Sequence, residues 1–76
     1  MTKEQCSREF GKNLEYFLKR YRISQNELAE YLGVNRVTVN HYLNGKREPS
    51  LHTIVDIIYF VGCKFEDLVD PDSLVK

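Results

Sequence analysis

The run from Ser24 to Gly45, SQNELAEYLGVNRVTVNHYLNG, constrains this chain more than any other stretch. Two helix starts and two helix stops fall inside it. Ser24 and Glu27 form an S-x-x-E pair, in which each side chain can accept the free backbone N–H of the other residue. Leu28, Ala29 and Leu32 then share one helical face. Gly33 stops that helix, because glycine enters the left-handed region at little cost. Asn35 is a second N-cap, and Val39, Tyr42 and Leu43 are the inward residues of a second short helix that Asn44-Gly45 closes. Helices this short are marginal alone in water, so the rest of the chain must build a core around them.

The flanking sequence has the pattern to do so. A first helix is predicted to begin between Thr2 and Ser7 and to reach about Tyr21, with Phe10, Leu14, Phe17, Leu18 and Tyr21 recurring at three- and four-residue steps. Lys12, Lys19, Arg20 and Arg22 fall outside that stripe. Ser50 caps a later helix carrying Leu51, Ile54, Ile57, Ile58 and Val61 inward, and Gly62 stops it. The β-branched run from Thr53 to Ile58 competes as a strand, but its spacing fits a buried helix better. Phe65, Leu68 and Val69 suggest a last short helix, whose start is weakly signalled because Lys64 stands where Ser or Asp would cap. Asp70-Pro71-Asp72 ends it. The fold class is therefore all-α, with one domain over 1–70 and a short tail over 71–76. A chain of 76 residues buries only about 60% of its unfolded surface and would gain from dimerisation.

The formal net charge is zero, which on its own argues against a strongly basic nucleic-acid binder. The distribution argues the other way. Residues 1–47 carry nine Lys or Arg against five Asp or Glu, a balance of +4, and residues 48–76 carry the compensating −4. Attraction to phosphate needs a local positive face and not a global excess. No window is apolar enough to span a membrane, and the polar Met1–Ser7 start is unlike a signal peptide, so a cytoplasmic location is expected. Cys6 and Cys63 are two lone thiols without metal-ligand spacing. No Gly-rich phosphate loop, paired-carboxylate site or nucleophile motif is present. The expectation is a protein that is not an enzyme, with no cofactor, no metal and no small-molecule site.

The second short helix leaves Arg36, Val37, Asn40 and His41 on its outer side. A short helix presenting such side chains has the shape that enters a DNA major groove. Arg can bond guanine through two donors, and Val can meet a thymine methyl. Gln25 lies at a helix N-terminus, where backbone amides attract phosphate. Thr38 has a hydroxyl for phosphate or for its own helix, and Lys46 and Arg47 occupy the following loop. His52 reads as a surface residue. Val55, Tyr59 and Phe60 are apolar residues left over on the later helix, and together they are a candidate dimer surface.

Four segments, FGKNL, SQNELAEYLGV, NRVTVNHYLNGKREPSL and VGCKFEDLV, resemble the phage repressor/Cro-type helix-turn-helix family, also called XRE-like. The likeness runs from Phe10 to Val69. It implies a compact five-helix lambda-repressor-like DNA-binding domain, with the helix-turn-helix at helices 2 and 3. It further implies that Arg36, Val37 and Asn40 face bases, with Asn35 and His41 flanking them, and that Gln25, Asn44 and the loop after it clamp phosphates. The expected base-reading set is thus Arg36, Val37, Asn40 and His41, and the phosphate set is Gln25, Asn35, Thr38, Asn44, Lys46 and Arg47. Many family members pair an Arg with a Glu where this chain has Leu18 and Leu43, and these two leucines are expected to touch. The implied function is a sequence-specific double-stranded DNA-binding transcriptional regulator, a repressor acting as a homodimer on a two-fold-related operator. The competing reading is a protein-interaction module on the same fold, an antirepressor or antitoxin-like partner working through Val55, Tyr59 and Phe60.

Overall fold

Five side-chain or backbone caps set where the helices begin. In the computed structural model, which describes residues 2–69, the order is α1 (Lys3–Arg20), α2 (Gln25–Leu32), α3 (Arg36–Leu43), α4 (Leu51–Val61) and α5 (Phe65–Leu68). Thr2 and Gln5 exchange hydrogen bonds in a capping box, with Gln5 N–H donating to Thr2 Oγ1 at 3.1 Å and Thr2 N–H to Gln5 Oε1 at 2.8 Å. Ser24 and Glu27 do the same at 3.0 Å in both directions, as the S-x-x-E pattern predicts. Asn35 Oδ1 accepts from Thr38 N–H at 2.8 Å, and Ser50 Oγ from Thr53 N–H at 3.2 Å. The start of α5 is made from the other side. Lys64 has no side-chain acceptor, but its N–H donates to Asp67 Oδ2 at 3.0 Å, which is the returning half of a capping box.

Each helix sends one fully enclosed side chain to the centre: Leu14, Leu28, Val39, Ile57 and Leu68. Phe10, Leu18, Ala29, Tyr42, Leu43, Val61 and Val69 complete a single apolar cluster around them. Leu18 and Leu43 both belong to it, so this part of the core is apolar. Asn13 Nδ2 donates to Leu68 O at 2.7 Å, which satisfies a carbonyl at the end of α5 and ties it to α1.

Two inward assignments fail at helix ends. Tyr21 lies just past α1 as its C-cap, is exposed, and stacks on Phe17 with ring centroids 6.0 Å apart. Leu51 is the first residue of α4 and remains 76% exposed, because the core begins one turn further on at Ile54. The proposed end at Asp70-Pro71-Asp72 and the tail over 71–76 lie outside the described residues.

Gly11 is where α1 meets α3. A Cβ placed on it would lie against the carbonyl oxygen of Leu43, 2.6 Å from that of Tyr42 and 2.8 Å from the carbonyl carbon of Leu43. Only a residue without a side chain lets α1 pass this close to the end of α3.

α1 ends in a left-handed turn without a glycine. Ile23 N–H donates to Leu18 O at 2.8 Å, and Arg22 between them has φ +57, the one positive φ outside glycine among the described residues. A left-handed residue with a Cβ costs about 1–2 kcal/mol. Arg22→Gly is therefore expected to raise stability by about 1 kcal/mol after the added freedom of the unfolded chain is counted. That corresponds to a rise of roughly 4–8 °C in the melting midpoint. A thermal melt followed by circular dichroism reads it, and an unchanged or lower midpoint would mean that the Arg22 side chain offsets its own strain.

Candidate nucleic-acid interface

Val39, Tyr42 and Leu43 hold the inner side of α3 in the core. At 100° per residue, Arg36, Val37, Asn40, His41 and Asn44 fall within an arc of about 140° on the opposite side. Arg36, Asn40 and Asn44 are exposed, and His41 is half-buried. Val37 is 60% exposed on a helix whose core positions are already filled. Every side chain expected to read bases is thus presented by one helix.

Hydrogen bonds decide which end of each amide is available. Asn44 Nδ2 donates to Asn40 Oδ1 at 2.9 Å, so Asn40 is left with its Nδ2 as the free end and offers donors to a ligand. Asn44, expected on phosphate, here orients Asn40. Asn35 Oδ1 accepts both Thr38 N–H and Thr38 Oγ1–H, the latter at 3.0 Å. Thr38 therefore spends its hydroxyl donor on the cap, and Asn35 keeps an exposed Nδ2 as the donor at the start of α3.

Gln25 is the first residue of α2 and is half-buried. Its Oε1 is enclosed without a donor, so Nε2 is the end that reaches solvent. That places an amide donor beside the free N–H groups of α2, where an anion would be held by both. At the other end of the motif the loop folds back on α3: Gly45 N–H donates to Tyr42 O at 3.2 Å and Lys46 N–H to His41 O at 2.9 Å. These bonds set exposed Lys46 and Arg47 at the C-terminal end of α3. Gln25 and the Lys46–Arg47 loop, both expected on phosphate, thus flank α3.

The leftover apolar residues of α4 divide. Phe60 is half-buried and stacks on Tyr31 with ring centroids 4.5 Å apart, so it has a partner within the chain. Val55 is 43% and Tyr59 80% exposed, and Leu51, misjudged as inward, joins them at the same four-residue step. His52 lies on the surface, 3.6 Å from Asp56. Burial, and after it the Asp67 carboxylate, raises the Cys63 thiol above its ordinary range, which disfavours the thiolate. Among the described residues no group of three or more His, Cys, Asp or Glu could hold a metal ion, and no helix is long and apolar enough to cross a membrane.

The profile of the helix-turn-helix family matches residues 14–68, which spans α2, α3 and α4 and reaches the end of α5. The chain belongs to the helix-turn-helix family. Its relatives include an uncharacterized HTH-type transcriptional regulator of Methanocaldococcus jannaschii, 38% identical over 55 residues, which cover 72% of this chain and 83% of that protein. Another is the uncharacterized HTH-type transcriptional regulator YqaE of Bacillus subtilis, 28% identical over 67 residues, which cover 88% of this chain and 58% of YqaE. The crystal structure of the restriction-modification controller protein C.AhdI from Aeromonas hydrophila superposes with a TM-score of 0.73 at 26% identity, over 80% of this chain and 92% of C.AhdI. This family member is accordingly a five-helix, Cro-like HTH regulator, and its DNA-binding motif is the α2–turn–α3 unit.

Proposed function

We propose that this protein binds double-stranded DNA at a specific sequence as a cytoplasmic homodimer and represses transcription by occupying a two-fold-related operator. The single observation that carries this reading is the outer side of α3. It presents Arg36, exposed Val37 and the Asn40 Nδ2 together, and no hydrogen bond among the described residues engages Arg36 or that Nδ2. A lone surface Val needs no explanation, but a Val between an Arg and an oriented amide is a mixed polar and apolar reader of the kind base edges require. Arg36 suits guanine O6 and N7, Val37 a thymine methyl, and the free Nδ2 of Asn40 a base acceptor. Gln25 at one end, and Lys46 and Arg47 at the other, suit the flanking phosphates and set the register of α3 without reading sequence.

Selection of bound duplexes from a random pool tests the reading, because it must return one preferred half-site. On that site, Arg36→Ala is expected to cost about 1–3 kcal/mol and to relax the preference at one base pair. Gln25→Ala should weaken all duplexes alike. Equal, sequence-independent losses for both variants would reject these roles, and a pool that returns no preferred sequence would reject the function.

A further inference from the structure

The contact that makes Gly11 necessary also has consequences one turn earlier on α1. Gly45, with φ +72, lies on Arg8: a Cβ there would be 2.9 Å from Arg8 Cγ and 3.1 Å from its Cα. A further turn back, Lys3 and Ser7 face the Lys46–Arg47 segment across an open cleft. Moving back along α1 thus tracks forward along the loop, and the two segments form one surface. Its cations are Lys3, Arg8, Lys46 and Arg47, all exposed and none ion-paired among the described residues. The carboxylates Glu4 and Glu48 line the cleft, and Glu9 lies with Arg8 and Lys12 in the adjoining groove. Ser7 lines it as well, at 7% exposure, and its hydroxyl has no hydrogen-bond partner among the described residues. Unpaired cations from two chain segments, with a serine hydroxyl between them, suit an anion with oxygen acceptors.

We propose that this cleft is a backbone-phosphate site for duplex DNA and that Lys3, Ser7 and Arg8 of α1 belong to the DNA interface. The inference rests on the DNA-binding reading above and extends it. The loop after α3 does not grip phosphate by itself. α1 supplies half of the positive charge, from Lys3 and Arg8, and the Ser7 hydroxyl. The surface lies at the C-terminal end of α3, so it takes a phosphate beyond the bases that α3 reads and contributes affinity without sequence preference.

The test uses the salt dependence of binding by the full chain. Each phosphate neutralised contributes about −0.9 to the slope of log K against log salt on duplex DNA. The double variant Lys3→Gln/Arg8→Gln is expected to reduce the slope by about 1–2 per subunit. It should weaken the selected duplex and a random duplex by the same factor, tenfold or more near 0.15 M salt. Arg8→Lys should retain the slope, which separates lost charge from lost packing on Gly45. A double variant with unchanged slope, alongside an Arg36→Ala variant that still loses base preference, would overturn this proposal and leave the DNA reading intact. A wild-type chain that binds no duplex would overturn both.

Discussion

Gly11→Ala is expected to lower the melting midpoint by about 10 °C or more, although the same change in an ordinary helix interior is favourable. Two effects of opposite sign compete. Ala is the better helix former by about 1 kcal/mol. Against that, the new methyl would have to occupy space held by backbone: the Tyr42 carbonyl oxygen would be 2.6 Å away and the Leu43 carbonyl carbon 2.8 Å away. These atoms cannot rotate aside as a flexible side chain does, so α1 and α3 must separate. Overpacking of this kind costs about 1–3 kcal/mol, and more where backbone is the obstacle. Separating the helices also loosens Leu14 and Val39, two of the five side chains that the core encloses completely. A net loss of about 2 kcal/mol is a large fraction of the total in a domain this small. Thermal or urea unfolding of the variant reads the balance. A variant as stable as the wild type, or more so, would mean that the helices do not approach as closely as described.

The sequence shows Gly11 only as one letter within FGKNL, and the reason is physical. Caps and stops are local: Ser24 with Glu27, Asn35, and Gly33 with φ +72 act within a turn of themselves and were legible. A close approach belongs to two segments 32 residues apart, and neither carries its signature alone. The same division explains the remaining differences. Periodicity identified the inner stripes of α1 and α4 but not where the core ends, so Tyr21 and Leu51 were placed inward. Phe60 looked surplus because its partner Tyr31 lies on another helix. In the candidate site, residue identities on α3 were legible from helical geometry. Amide orientation was not, since it depends on the Asn44–Asn40 hydrogen bond. Lys3 and Arg8 carried no motif and join the site only because α1 packs along the loop.

The largest functional loss is expected from a pair of substitutions remote from α3, Val55→Asp with Tyr59→Asp. Leu51, Val55 and Tyr59 form a stripe along the outer side of α4, with exposures from 43% to 80%. None is needed to close the core, so charged replacements should leave the melting midpoint within a few degrees. One subunit offers only a few base contacts from an eight-residue α3, which is little on which to build affinity for one half-site. Two subunits joined through this stripe would place two such helices on half-sites about one helical turn apart, roughly 34 Å. Joining two weak sites raises apparent affinity by about 10² to 10⁴ without any new contact to DNA. The double variant is therefore expected to sediment as a monomer and to bind the two-fold operator at least about 100-fold more weakly. Its affinity for an isolated half-site should be unchanged, because α3, Gln25 and the loop are untouched. That comparison separates loss of pairing from loss of reading. A variant that still dimerises would place the subunit contact elsewhere, and a wild type that sediments as a monomer yet binds the operator as tightly as the prediction requires would remove the need for any contact at this stripe.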